Sequence, residues 1–359
     1  MLSYYPSTIR VQRACGRIVY YWGDTYYDAC VTVDGVVSRR LGEEPFYHVL
    51  VEPLSDCHSH VLDYAIAEMG EDLSLKDLVS RSVGLKYRAL AGMDPRVVAE
   101  RLTRTPKLHS MARVYLELWP RSRELLGAVR SVARQVIVYV QPVEMSVRVL
   151  VEALRSGLGI GLDTVYDLGS SDARRVSSEA APGMIQVHVS ETRSLAEARD
   201  YERLEDYKGC IAVHANYLPA GEEWRLLDYC SGLVVCPSSE LMFSGRLIDA
   251  RILSRLYEEG LPIALGVDNY AWNPVSILAQ ASLAYMVFRP YFPKPREELA
   301  RMLFEAITTS CWRMPPSRKP ERGRALIGLK LPEVMWSSSP LVTIVKRGAY
   351  AAYTVLEVA

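Results

Sequence analysis

The sequence predicts an α/β protein, a (β/α)8 TIM barrel with a small β-domain formed from the two ends of the chain. Three observations predict it. From about residue 51 to residue 317, short apolar runs alternate with longer amphipathic stretches. β-rich segments flank that region on both sides. Four of the six histidines, with one aspartate, stand at the ends of the short apolar runs, where a barrel places its active-site residues.

The elements follow in order. Thr8 to Val11, Arg17 to Trp22 and Cys30 to Val37 are rich in β-branched and aromatic residues, broken by Gly16, Gly23-Asp24 and Asp34-Gly35. Asp34-Gly35 between valines is a hairpin signal. Eight strand candidates then follow: Val49 to Leu54, Ala112 to Leu118, Val136 to Val140, Leu158 to Leu162, Met184 to Val189, Cys210 to Val213, Leu233 to Cys236 and Pro262 to Leu265. Helical stretches separate them, among them Arg121 to Arg134, Met145 to Arg155, Leu195 to Leu204, Glu222 to Tyr229 and Leu247 to Glu259. Two more helices are expected near Val275 to Val287 and Pro295 to Thr308. After the proline-rich stretch from Met314 to Pro320, Leu341 to Val345 and Ala351 to Val358 read as strands that pair with the N-terminal ones. The predicted division is therefore a β-domain of residues 1–50 and 318–359 and a barrel of residues 51–317.

Bulk properties narrow the function. A chain of 359 residues with 49% hydrophobic and 23% charged residues has ordinary globular composition. The 42 basic and 42 acidic residues cancel, and no basic stripe occurs. That points away from nucleic acid or an anionic membrane and toward a small-molecule substrate. No apolar run approaches the roughly 20 residues of a membrane span. Met1-Leu2-Ser3-Tyr4-Tyr5-Pro6 lacks a basic segment followed by an apolar core, so a cytoplasmic protein is expected. Seven cysteines, without a Cys-x-x-Cys pair, read as buried or incidental thiols in a reducing compartment. Cys57 is read the same way, its side chain directed away from Asp56 and His58 on a strand. A barrel with exposed helices is also open to homodimerisation.

The chemistry lies in His58-Ser59-His60, His188, His214 and Asp268. Residues i and i+2 of a strand face one side, so His58 and His60 can reach one metal ion. His188 ends the fifth strand, His214 the sixth, and Asp268 follows the eighth. All can converge on one mouth. Imidazole and carboxylate ligands suit zinc, the leading ion, or ferrous iron, and such an ion lowers the pKa of a bound water. Glu191, three residues after His188, stands where a carboxyl group can carry protons to a leaving group.

In these residues the sequence resembles the amidohydrolase superfamily, and within it the deaminase and chlorohydrolase branch of S-adenosylhomocysteine deaminase, guanine deaminase and the triazine hydrolases. The resemblance covers most of the barrel. It runs through His58-Ser59-His60, Gly70-Glu71-Asp72-Leu73-Ser74-Leu75, His188-Val189-Ser190-Glu191, Val213-His214-Ala215, Cys236-Pro237-Ser238-Ser239 and Leu265-Gly266-Val267-Asp268. It implies a single metal bound by His58, His60, His188 and Asp268, with Asp268 also taking a proton from the metal water. Glu191 would shuttle that proton, and His214 would orient or polarise the group under attack. The binuclear branches commonly bridge their metals with a lysine on the fourth strand, but no lysine occurs between Lys107 and Lys208. Three departures stand out. Glu240 occupies the place of the asparagine in Pro-x-Ser-Asn, where it alters substrate contacts or faces solvent. Gly266-Val267-Asp268 replaces Gly-Thr-Asp, and Val51 to Asp56 lacks the Pro-Gly-Phe-Ile-Asp wording.

The expected activity is metal-dependent hydrolysis of a non-peptide C–N bond, chiefly deamination of a small heterocycle. The alternatives are cyclic or linear amide hydrolysis on the same site, or a silent barrel acting as a binding scaffold. Tyr217, Phe243, Tyr270 and Trp272 are candidates for pocket lining or for packing, and Arg193 and Arg246 for holding an anionic group or for solvated helix starts.

Overall fold

The computed structural model describes residues 9–21, 23–38, 47–52, 54–81, 83–104, 109–142, 144, 146–316 and 325–358. Met1 to Pro6, Thr8, Trp22, Pro53, Met145 and Pro320, on which some of the sequence readings fall, lie outside these residues.

The barrel strands are β1 (Leu54–His60), β2 (His109–Trp119), β3 (Gln135–Pro142), β4 (Gly159–Leu162), β5 (Ile185–Val189), β6 (Cys210–His214), β7 (Cys230–Val235) and β8 (Ile263–Leu265). They are parallel and neighbour one another in chain order. The chain just past β8 closes the ring, because Asp268 and Asn269 pair in parallel with Ser59 and His60. Both faces of a barrel strand are covered, which accounts for apolar runs such as Leu233–Val235 and Ile263–Leu265, buried throughout.

The closure depends on two features. Gly266 lies so close to β1 that a Cβ there would sit 2.7 Å from the His58 carbonyl oxygen. Asp56, fully buried, accepts hydrogen bonds from the Val267 N–H at 3.0 Å and the Tyr270 hydroxyl at 2.9 Å. Burial pushes its carboxyl up to about 7 against those bonds. Opposite the mouth, Arg113 donates to the carbonyls of Met314 at 2.6 Å and Pro315 at 3.1 Å, so residues 314–315 lie across that end.

A second sheet of seven strands flanks the barrel. Its order is Ile9–Val11, Ala352–Val358, Ala325–Lys330, Tyr47–Val51, Arg13–Tyr21, Asp24–Thr32, Gly35–Ser38. Strands from both ends of the chain thus share one sheet, as expected. The hairpin falls at Asp34-Gly35, with Thr32 paired to Gly35.

Four readings are corrected. Val49 to Leu54 is not a barrel strand. Tyr47–Val51 pairs with Arg13–Tyr21 and Ala325–Lys330, and the first barrel strand begins at Leu54. The apolar run spans two elements that belong to different sheets, and Pro53, which has no N–H for a ladder, stands between them. Leu341 to Val345 is not a strand but part of a helix, Pro340–Arg347. Pro340 opens it, Lys346 and Arg347 suit its last turn, and Val342, Ile344 and Val345 are buried as it packs on the helices Ile277–Phe288 and Arg296–Ile307. Burial on that surface overrides the β-branched composition. Third, the cysteines are not all free thiols. Cys15 pairs with Cys30 and Cys57 with Cys311, leaving Cys210, Cys230 and Cys236 free. Fourth, the Cys57 side chain does not simply alternate with its neighbours. β1 bulges between Asp56 and Ser59, and Cys57 packs with Met111, Ile211, Val213 and Val234.

The chain unfolded without reductant should therefore take up three equivalents of a thiol-alkylating reagent, read by mass spectrometry, and seven after reduction. Uptake of seven before reduction would contradict the pairing.

Candidate metal centre

Five of the predicted residues meet at the carboxyl ends of the strands. The ring centroids of His58 lie 5.0 Å from His60 and 4.9 Å from His188, and His188 lies 4.8 Å from His214. Asp268 Oδ1 is 3.3 Å from His58 Nε2 and 3.5 Å from His60 Nε2. Ligand-type atoms of His58, His60 and His188 lie within 4.8 Å of one another, as do those of His58, His214 and Asp268.

The backbone is bent to bring them there. Ser190, His214, Ala215 and Asp268 all take positive φ, at 46°, 76°, 60° and 65°. Such conformations are costly for residues with a side chain, and they gather where a site demands a fixed geometry. Here they fall just at the ends of β5, β6 and β8.

Three imidazoles are held through Nδ1. His58 Nδ1 lies 3.1 Å from Gln186 Oε1, and the Gln186 amide nitrogen donates to the Cys57 carbonyl at 2.9 Å. That second bond fixes the amide, so its oxygen faces the ring and His58 Nδ1 carries the proton. His60 Nδ1 lies 2.6 Å from Glu117 Oε1, and His214 Nδ1 lies 3.2 Å from Glu240 Oε1. Among the described residues, His58 Nε2, His188 Nε2, His214 Nε2 and Asp268 Oδ1 are buried without any hydrogen-bond partner. Buried polar atoms are otherwise nearly always paired. Orphaned imidazole nitrogens beside an orphaned carboxylate oxygen fit a divalent cation with nitrogen and oxygen ligands.

Electrostatics agree with that donor set. Burial lowers His188 to about 4 and also lowers His58, which keeps both rings neutral with a free lone pair. Burial alone would raise Asp268, but the His58 ring 3.3 Å away and the neighbouring imidazoles hold it well below the usual carboxylate range. His214 behaves differently. Burial opposes its charge, yet the Glu191 carboxylate and the Glu240 hydrogen bond outweigh that and raise it to about 9. Glu191 lies 3.8 Å from His214 Nε2 and 3.6 Å from His188 Nδ1. Its side chain is 16% exposed, against 0–9% for the four histidines and Asp268, so it faces the opening.

The other candidates divide. Tyr270 is committed to Asp56 and Trp272 donates to the Met69 carbonyl, while Phe243 and Trp272 meet edge to face at 6.1 Å. Arg246 is exposed and stacks over Tyr217 at 4.9 Å; Arg193 is exposed at the start of the helix Arg193–Glu197. Glu240 does not face solvent. It is 2% exposed on the helix Pro237–Ser244 and accepts from both His214 and the Cys236 N–H. Gln186, Glu117, Asp63 and Lys86 were not singled out from the sequence. Gln186 stands two residues before His188, and Glu117 continues the alternation Met111, Arg113, Tyr115, so both carried a period-two signal. Lys86 and Asp63 carried none.

Glu240→Ala leaves two buried N–H donors without a partner. It should cost about 1–3 kcal/mol in denaturant unfolding, with Glu240→Gln costing less. An unchanged midpoint in the alanine variant would contradict the arrangement.

No protein-family model matches the chain. A protein of Methanothermobacter thermautotrophicus named "Putative aminohydrolase" is 24% identical over 269 residues, 67% of this chain and 69% of its own length. Among solved structures, an amidohydrolase from Brucella melitensis superposes with TM-score 0.73 at 12% identity, covering 96% of this chain and 92% of that one. An adenosine deaminase from Xanthomonas campestris with bound zinc superposes with TM-score 0.65 at 15% identity, covering 96% and 90%. The chain shares the amidohydrolase fold, a closed (β/α)8 barrel flanked by a sheet drawn from both ends.

Proposed function

We propose that the chain is a metal-dependent hydrolase of non-peptide C–N bonds that deaminates a small heterocycle. The observation that carries this reading is the set of bare Nε2 atoms of His58 and His188 beside Asp268 Oδ1, at the mouth of a closed barrel. His58, His60, His188 and Asp268 would hold one divalent ion, zinc before iron. Such an ion supplies Lewis acidity and makes water nucleophilic near neutral pH.

The chain's own groups supply the rest. Asp268, held as a carboxylate, has the free oxygen to accept a proton from the attacking water. Glu191 is the most exposed of the acidic and imidazole groups and stands between His188 and His214. It carries that proton to the departing amine. His214, raised to about 9 and anchored by Glu240, presents Nε2–H to the group under attack. As charge develops on the substrate, such a fixed donor stabilises it without reorganisation. The kinship to a zinc-bound adenosine deaminase and to a protein named for aminohydrolase activity supports this reading.

The test is ammonia release from a panel of purines, pyrimidines and pterins. Glu191→Gln should lower turnover by about 100- to 10,000-fold while metal content stays at the wild-type value. Turnover that yields a carboxylate and no ammonia would replace deamination by amide hydrolysis. Full activity in the Glu191→Gln variant would remove the shuttle role.

A further inference from the structure

Behind His60, away from the other imidazoles, lies a second group of charges that the proposed chemistry does not use. Lys86, on the helix Leu85–Gly92, places Nζ 2.8 Å from Glu117 Oε1 and 3.0 Å from Asp63 Oδ2. Glu117 comes from β2, and Asp63 from the short 3-10 turn Val61–Ile66 that follows β1. Lys86 is 1% exposed, and Glu117 and Asp63 are fully buried. Charges are buried in this way only when something compensates the loss of water, and replacing such a group by apolar residues is often neutral for stability. Its presence beside a candidate ligand calls for a function other than holding the fold.

The geometry supplies one. We infer that Lys86 and Glu117 are positioning residues that lock His60 in the tautomer whose Nε2 can ligate a metal. This rests on the metal-centre reading above. His60 Nδ1 is 2.6 Å from Glu117 Oε1 and 2.9 Å from Lys86 Nζ. Were Nδ1 bare, it and the carboxylate oxygen would be two acceptors facing each other at 2.6 Å, which is repulsive. Lys86 Nζ could donate to a bare Nδ1 at 2.9 Å, but the shorter contact is the one to the carboxylate, so the proton belongs on Nδ1, with both His60 and Lys86 donating to Glu117 Oε1. The proton on Nδ1 leaves the lone pair on Nε2, the atom that faces Asp268 at 3.5 Å. Lys86 holds the Glu117 carboxylate in place, and Asp63 anchors Lys86 from its other side. A carboxylate that accepts from the far nitrogen of a ligating imidazole also makes that ring a stronger donor to metal.

The test is the zinc dissociation constant of the full chain, by competition with a chromophoric chelator. Glu117→Gln, which is nearly isosteric, should weaken zinc binding by about 10- to 100-fold. Glu117→Asp, which keeps the charge, should recover part of that loss. The double variant Lys86→Met with Asp63→Asn removes one charge of each sign and should also weaken binding; it decides the matter if Glu117→Gln does not fold. Arg255→Met, which breaks the pair with Glu223 on the outer helix Ala250–Glu258, is the control and should leave affinity unchanged. A purely structural role would lower the unfolding midpoint of the folded variants and leave their zinc affinity within about twofold of the wild type, short of the roughly tenfold loss expected for a lost outer carboxylate, and that result overturns the inference. A wild-type chain that binds neither zinc nor iron overturns the metal-centre reading itself, so the two failures are distinct.

Discussion

The centre depends on what holds the far side of each ring. An imidazole has two nitrogens and, when neutral, one proton. Only if that proton is pinned to Nδ1 does Nε2 offer a lone pair. Gln186 pins it in His58 and Glu117 in His60. His214 is gripped at the same atom by Glu240, but there Glu191 and Glu240 together favour the charged ring. One kind of hydrogen bond thus yields two kinds of histidine, lone-pair donors on one side of the site and a proton donor on the other.

The barrel makes this pinning possible. Asp268 pairs in register with Ser59, so the carboxylate reaches His58 and His60 only because the ring closes. Closure requires Gly266 to approach the His58 backbone and Asp56 to tie β1 to the turn after β8. The positive φ values at Ser190, His214, Ala215 and Asp268 are strain that the surrounding barrel imposes, placed where side chains must turn inward together. Glu191 lies just past Ser190 and is the most exposed group of the set.

Much of this was legible in the residues. The spacing of His58 and His60 follows from strand alternation, and His188, His214 and Asp268 each end or follow an apolar run. All five meet at one mouth, which neither a packed core nor a helix cap would require. What escaped did so for physical reasons. Leu341 to Val345 is β-branched, and only the helices it covers make it a helix. Cys57 and Cys311 are 254 residues apart, so no spacing could join them. Tyr47–Val51 and Leu54–His60 read as nearly one run because both are buried, though in different sheets. Glu240 stood out as a departure, but its burial against His214 depends on where the helix Pro237–Ser244 lies. Lys86 is one lysine in an ordinary helix until Asp63 and Glu117 close around it.

The central claim is that the pinned histidines and Asp268 hold one metal ion. The most direct test is metal content per chain, by elemental mass spectrometry on protein purified without added metal or chelator and again after reconstitution with zinc or iron. The account predicts about one ion per chain, bound through nitrogen and oxygen ligands. No bound ion after reconstitution would contradict it and leave the orphaned nitrogens of His58 and His188 without an explanation.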